Sequence, residues 1–519
     1  MEEVGFVKSV RNFLVYLDGL PTVKINDMVI SENSVRGWVN ALLPDKVEIL
    51  LLDEGNVAPG QLFRRSDNKL IVPVGQFLLG RTINPLGIPI DGRGPLAKTN
   101  TDIFFELARP APNINARSFI DRQFNTGIIL VDTLLPLGCG QRELIIGDAR
   151  SGKTDFLIDI IVNQKNTKTI CIYASIGKPI TEVRDLIDIL SANRALAQTV
   201  IVATSSTDTA PLIFLTPQTA FSIAEYFQRQ GFDVLVILDD MGNHAKIYRE
   251  ISLLSNKSPG RESYPGDIFY QHSHLLERAG NFKKEAGGGS ITALPVIELN
   301  LNDFTSFIPT NLMAMTDGHL LFKAPLYNRG QRPAIDISAS VSRVGRQTQN
   351  RIQNLLAIHI KQILTQAGQL ESISRFSFEL PAETQVVLKQ KDLIEQLIQQ
   401  SPLVFISKEI QTVLLALIFT SFAKEITPES IENCQEALIK EIASNPEMKP
   451  ITEAVFKMAD TSELYKKLES VAKILAKCIP QSQQIIEMPV ASPQPNESKT
   501  EQTGVKTETE AKKANLNQS

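Results

Sequence analysis

Little in this sequence would crosslink the chain, anchor it or coat nucleic acid. The four cysteines, Cys139, Cys171, Cys434 and Cys478, are far apart, with no Cys-x-x-Cys pair and no histidine at metal-ligand spacing. That excludes a disulfide scaffold and a zinc module and fits a reducing cytosol. Neither sign of charge is in excess: the formal net charge is -4 over 519 residues, so the totals carry no nucleic-acid footprint. The start, Met1-Glu-Glu-Val-Gly-Phe6, lacks the basic leader and apolar core of an export signal. The longest apolar run, 412–423, falls well short of the roughly 20 residues that span a bilayer. A cytoplasmic location is expected, with any attachment to the inner face of a membrane made through partner subunits and no direct insertion. No internal repeat is present.

What remains is a large globular chain. Apolar residues make up 43% and charged residues 21%, ordinary values for folded domains. The length exceeds what one hydrophobic core sustains, so several domains are expected. Over residues 1–96, short Val/Ile/Leu-rich runs such as 47–52 are separated by turn signals such as Asp53-Glu54-Gly55 and Asn84-Pro85-Leu86-Gly87, which predicts a β-barrel. Residues 108–124, with two prolines and two asparagines, suit a linker.

Within 97–350, apolar runs at 144–146, 169–174, 199–203, 234–238 and 293–297 alternate with helix-length segments. Such alternation predicts an α/β domain, a parallel sheet flanked by helices. From 351 to 487 helical periodicity takes over: Val386, Leu393 and Leu397 recur on one stripe with Val387, Ile394 and Ile398 beside them, and Thr427-Pro428 reads as a helix start. An α-helical bundle is expected there. Residues 488–519 are rich in Pro, Ser, Thr, Glu, Lys, Gln and Asn and too poor in apolar groups to offset chain entropy, so they are expected to be a disordered tail.

One motif carries chemistry. Gly147-Asp-Ala-Arg-Ser-Gly-Lys-Thr154 fits G-x-x-x-x-G-K-[ST] and directly follows the strand-like run 144–146. Glycines let backbone N–H groups close around phosphate oxygens, and the helix that follows adds its positive end. Lys153 is placed to reach β and γ phosphates and the Thr154 hydroxyl to ligate magnesium. The run 234–238 ends in Asp239-Asp240, which puts a carboxylate at the C-terminal end of a buried strand, where ligands of open α/β sheets sit. Asp239 is the expected magnesium-side carboxylate. A magnesium nucleotide, ATP or ADP, is therefore the predicted ligand.

With these residues in view, the chain resembles the alpha, non-catalytic subunit of the rotary F1-type ATPases. The resemblance runs from Val72-Pro-Val-Gly75 and Leu79-Gly-Arg81 in the barrel region to the end of the helical region. It is densest at Gly140-Gln-Arg-Glu-Leu-Ile-Ile-Gly-Asp148, Pro259-Gly-Arg-Glu-Ser-Tyr-Pro-Gly-Asp267, Gly287-Gly-Gly-Ser-Ile-Thr-Ala-Leu-Pro-Val-Ile-Glu298 and Ser340-Val-Ser-Arg-Val-Gly345. It implies an N-terminal β-barrel, a central RecA-like domain and a C-terminal helical domain. It also implies a ring in which this chain alternates with catalytic beta-type subunits around a gamma-type shaft.

Alpha rather than beta follows from a missing residue. In the catalytic pattern a glutamate after the next strand orients the attacking water; here the strand reads Ile170-Cys-Ile-Tyr-Ala-Ser-Ile-Gly177 and the matching position is Lys178. A protonated lysine accepts neither a hydrogen bond nor a proton, so the site is expected to hold nucleotide without turning it over efficiently. In Ser340-Val-Ser-Arg343, Arg343 matches the family's arginine finger, which acts in trans on the neighbouring beta-type subunit, with Ser340 beside it. Tyr327, Arg332 and Pro333 match positions that pack around the adenine, and Gln399 and Gln400 are near the matching glutamine pair, in a shorter loop.

The sequence also departs from the family. Barrel-like sequence begins almost at Met1, without the helical arm that usually docks the peripheral stalk. Ala149 and Arg150 replace the usual Arg-Gln pair of the phosphate loop, which otherwise keeps Asp148, Ser151 and Gly152. Asp155 stands where a small residue is usual and adds negative charge near phosphates. Such departures resemble those of diverged F1-like assemblies of wall-less bacteria, redirected from ATP synthesis and proton transport toward work such as gliding motility. Two other classes compete. A homohexameric export-type ATPase needs its own catalytic glutamate, which Lys178 denies, and a termination-type helicase needs basic and aromatic residues on its barrel, where Arg64-Arg65 is the only basic pair.

Overall fold

The computed structural model of the chain describes residues 3–97, 103–299, 303–374 and 381–477. The expected tail, 488–519, and Cys478 lie outside the described residues. Six short strands open the chain: β1 (Val4–Arg11), β2 (Leu14–Gly19), β3 (Asp27–Ser31), β4 (Arg36–Leu43), β5 (Lys46–Leu51) and β6 (Leu62–Lys69). They close into an antiparallel barrel in the order β1-β2-β5-β4-β3-β6, which leaves no open sheet edge. Val15, Leu17, Val29, Val39, Ile49 and Phe63 are fully buried in its core.

The closed barrel ends at Lys69. Beyond it Ile71–Val74 pairs with Ile103–Glu106 as a separate two-stranded ribbon, and Thr82–Ile83 leaves the barrel altogether to become the edge strand of the central sheet. That two-residue strand is too short to carry a period, so sequence alone groups it with its neighbours.

The central sheet contains β7 (Thr82–Ile83), β8 (Glu143–Asp148), β9 (Ile170–Lys178), β10 (Thr199–Ser205), β11 (Asp233–Asp239), β12 (Ser290–Leu299), β13 (Gly318–Phe322) and β14 (Val341–Ser342). Their order is β14-β13-β8-β12-β11-β9-β10-β7, and every pair on this path is parallel except β13 with β14. The five apolar runs read from the sequence coincide with β8 to β12, apart from Thr169, which precedes β9. Because strand side chains alternate between faces, each strand feeds two cores. Leu144, Ile146, Ile172, Val234 and Val236 join a core continuous with the barrel, whereas Ile145, Cys171, Tyr173, Leu235 and Ile237 join one continuous with the helical region. A sheet covered on both faces explains why its strands read as unbroken apolar runs.

After Arg351 the described chain is helical, including Arg351–Ser374, Ala382–Leu397, Lys408–Ala416, Pro428–Ser444 and Thr461–Lys477. Leu393, Ile394, Leu397 and Ile398 are all at most 1% exposed, as their spacing predicts. Val386, expected on the same stripe, is 58% exposed, because the bundle covers that stripe only toward the end of its helix. Thr427 does precede a helix with proline at its first turn, but its hydroxyl pairs with Ser430 Oγ at 2.9 Å rather than capping a backbone N–H. The apolar run 412–423 is bundle core, with Val413 to Ile418 at 2% exposure or less. Among the described residues no helix is long and apolar enough to cross a membrane.

Candidate nucleotide-binding site

The phosphate loop leaves the C-terminal end of β8 and runs into the helix Lys153–Asn163. Gly152 makes the turn with φ +83°, a left-handed conformation that a side chain resists, and a Cβ there would lie 2.8 Å from the Tyr327 ring. Glycine is therefore required twice over. Arg150 also has a left-handed φ, +54°, and is exposed at the loop's tip, the kind of strained geometry that collects at ligand-binding loops. The loop opens onto a cleft of about 720 Å³, lined among others by Arg150, Lys153, Thr154, Lys178, Asp239, Glu298 and Tyr327. That is the size range of ligand pockets.

Lys153 is buried in this cleft. Its ammonium donates to the Gly147 carbonyl at 2.9 Å and to the Asp148 carbonyl, folding back over the loop it serves. Burial draws its pKa below the ordinary lysine value, opposed by the Glu298 and Asp239 charges. Thr154 and Asp155 are exposed to the cleft. Asp148 accepts from the Ala324 N–H at 3.2 Å, and Ser151 Oγ donates to the Asp148 carbonyl at 2.7 Å; both shape the loop. Ala149 is exposed and does not line the cleft.

Asp239 ends β11 as expected, and its neighbour Asp240 caps the helix Met241–Leu254 by accepting from the Asn243 N–H at 2.6 Å. Burial pushes the Asp240 carboxyl up to about 6. Asp239 itself is engaged. Its Oδ2 accepts from the buried Tyr173 hydroxyl and from Lys178 Nζ, the latter at 2.5 Å, and Lys178 also lies 3.6 Å from Glu182. Burial alone would lower the Lys178 pKa, but the Asp239 carboxylate outweighs it and the value is raised. Lys178 is thus an ion-pair partner of the expected magnesium carboxylate. This donor set does not fit a dication on Asp239: the same carboxylate oxygen already holds an ammonium and a hydroxyl.

Tyr327, Arg332 and Pro333 do converge, with Ile128, Asp155, Asp159 and Gln400, around a narrow crevice of about 20 Å³ beside Gly152. The Arg332 guanidinium sits 3.4 Å from the Tyr327 ring centroid and donates to the Tyr327 carbonyl at 2.7 Å. Burial pushes Asp159 up to about 6, although it accepts from the Leu403 N–H at 2.8 Å. The glutamines behave differently from expectation. Gln400 Nε2 donates to the Gly127 and Val404 carbonyls at 2.8 and 2.6 Å, and its Oε1 accepts from the Ile129 N–H at 2.9 Å. Its amide clamps the helical region to the central domain. Gln399 does not line the crevice; its side chain turns to Gln396 Oε1 at 3.3 Å.

Arg343 follows the short edge strand β14. The register Glu143↔Gly318↔Ser342 places it beside the start of β8, whereas the phosphate loop leaves the other end of that strand, where Gly147 pairs with Phe322. Its backbone N–H donates to the Asp317 carbonyl at 3.0 Å, and Asp317 is itself paired with Arg142 at 2.8 Å. The side chain is exposed. Ser340, expected beside it in the chemistry, is 7% exposed. Its hydroxyl donates to the Asp336 carbonyl at 2.6 Å and accepts from the Leu321 N–H at 2.9 Å, so it pins the segment that leads to Arg343.

Residues 127–342 match the family model for the ATP synthase alpha/beta family, nucleotide-binding domain, and 349–475 match that for the ATP synthase alpha/beta chain, C terminal domain. A protein described as ATP synthase subunit alpha from Mycoplasmopsis synoviae is 37% identical over 92% of this chain and 90% of its own length. The chain belongs to the ATP synthase alpha/beta family. Proteins of the same description from Mycoplasmoides gallisepticum and Metamycoplasma arthritidis are 38% and 42% identical, over 92% and 77% of this chain and 91% and 75% of their own lengths.

Two features of this family member escaped sequence reasoning. Glu298 lines the cleft near the end of β12; the strand-end argument that found Asp239 applies to it equally, since it follows the run 293–297. The Lys178–Asp239 pair joins residues 61 apart in the chain, brought together because β9 and β11 are neighbours with Ser175 opposite Asp239. No local signal announces it.

Proposed function

We propose that this chain is the non-catalytic, nucleotide-binding alpha-type subunit of an F1-type rotary ATPase. It alternates in a ring with beta-type catalytic subunits around a gamma-type shaft, takes part in ATP hydrolysis or synthesis through that ring, and reaches the membrane only through partners. The observation that carries this reading is the position of Arg343. It stands at the end of β8 away from the chain's own phosphate loop, exposed, with its backbone fixed to the sheet. A guanidinium so placed serves a phosphate bound on a neighbour. Its planar donors meet developing phosphoryl charge with two hydrogen bonds, and such fingers supply about 10³ to 10⁵ in rate.

The chain's own site then holds ATP or ADP for structure or regulation. Gly147 to Thr154 cradle the phosphates, with Lys153 exchanging its carbonyl partners for phosphate oxygens. Tyr327, Arg332 and Pro333 flank the base. Lys178, tied to Asp239, accepts no proton from water, which argues against a self-sufficient homohexameric export ATPase. The description shared by the relatives, ATP synthase subunit alpha, favours ATP synthesis over a redirected motor such as gliding. The test is reconstitution with a beta-type partner: the isolated chain binds ATP but turns it over negligibly, the complex is active, and Arg343→Ala abolishes that activity. Substantial turnover by the isolated chain contradicts the reading.

A further inference from the structure

We infer that the Lys178 ammonium takes over, in this chain, the place at Asp239 that a phosphate-loop site ordinarily gives to magnesium, so that nucleotide binding here does not require the metal. The inference rests on the nucleotide reading above and deepens it. In a magnesium nucleotide site the strand-end carboxylate must turn its oxygens to the hydrated dication, which demands an oxygen shell of near-octahedral geometry. Here Asp239 is buried, and one of its oxygens receives both Tyr173 and Lys178. A dication drawn to that carboxylate would meet an ammonium already in contact with it, and like charges at such separations repel.

The position itself makes the substitution informative. Lys178 closes β9, at the C-terminal edge of the sheet where ligands gather, and its side chain lines the same cleft as Lys153 and Thr154. An ammonium there supplies positive charge toward the phosphate side of the cleft, and does so without a counter-ion from solution.

The experiment is equilibrium binding of a fluorescent ATP analogue to the isolated full-length chain, in excess magnesium and in excess EDTA, for the wild type and Lys178→Gln. The wild type is expected to bind with a Kd that changes less than about threefold on chelation, while Lys178→Gln, which leaves Asp239 uncompensated, acquires a magnesium dependence of about tenfold or more, equivalent to ~1.4 kcal/mol. Lys178→Arg keeps the charge and is expected to behave as the wild type. A wild-type Kd that weakens tenfold in EDTA overturns the inference, as does a Lys178→Gln chain that remains indifferent to the metal. Absence of binding in both buffers defeats the nucleotide reading itself and this inference with it.

Discussion

Arg343 and Lys153 serve opposite ends of a single strand. Lys153 opens the helix that follows the C-terminal end of β8, while Arg343 is tied, through Gly318 and Ser342, to the level of Glu143 at its N-terminal end. Five residue steps along β8 amount to roughly 16 Å, farther than any arginine side chain reaches. Lys153 and Arg343 therefore cannot reach the same phosphate, which is the geometry the proposed function requires of a subunit that lends a cation to its neighbour's nucleotide. The anchoring is stiff: Gly345 packs so tightly against Pro136 that an added Cβ would overlap its carbonyl, and Ser342 Oγ donates to that same carbonyl at 2.6 Å.

Gln400 is expected to matter for stability rather than for base recognition. Replacing it with alanine leaves the buried Ile129 N–H without its partner and the Gly127 carbonyl with only the 3.4 Å bond from the Ile406 N–H, a loss of about 1–3 kcal/mol. Chemical denaturation should register that loss, while the preference between adenine and guanine nucleotides in a competition assay stays unchanged. A switch in base preference at constant stability would assign Gln400 to the ligand instead.

Arg278 is the largest fully buried side chain of the chain's described residues. It pairs with Glu225 at 2.6 Å and donates to Ser222 Oγ at 3.0 Å and the Leu107 carbonyl at 3.1 Å, stapling the chain that follows the barrel to the central domain. Arg278→Met should destabilise the protein by about 3 kcal/mol, because a buried carboxylate loses its main counter-charge. Arg109, 3.5 Å from Glu225, retains part of the compensation. The double variant Arg278→Met, Glu225→Gln should recover part of the loss in a urea titration; no recovery would mean that packing, not charge, sets the effect.

A pH dependence follows from two buried histidines. His244 Nδ1 and His272 Nε2 are 3.1 Å apart, and burial lowers both, His244 to about 4. The unfolded chain, with ordinary histidine pKa values near 6.5, binds more protons than the folded one between about pH 4 and 6.5, so stability rises with pH across that window and is lost as pH falls through it. The expected slope is about 1.4 kcal/mol per pH unit for each histidine that must ionise. Urea midpoints measured at pH 7.5 and 5 should differ less for His244→Gln than for the wild type; an unchanged difference would remove these histidines as the cause.

Much of this was legible in the sequence because it is local. The phosphate loop is contiguous, five of the six inner strands of the sheet, β8 to β12, are buried on both faces and so read as apolar runs, and Tyr327, Arg332 and Pro333 lie within one turn-bearing segment that folds over Gly152. What stayed hidden depends on registers between distant strands or on amide direction. Thr82–Ile83 is a strand only because β10 offers it an edge. Gln400 could have faced a base or a carbonyl, and Ser340 could have faced a phosphate or its own loop; tertiary contacts decide both. The contact of Lys178 with Asp239 depends on the pairing of β9 with β11.

The central claim is that Arg343 acts on a nucleotide held by a neighbour, and steady-state ATP turnover of a reconstituted complex with a beta-type partner measures it directly. With wild-type partner, Arg343→Ala is predicted to lower turnover by about 10³ or more, with assembly intact by size-exclusion chromatography and with ATP binding to the variant chain's own site unchanged. Full turnover by an assembled Arg343→Ala complex, or loss of nucleotide binding by the isolated Arg343→Ala chain, would contradict it.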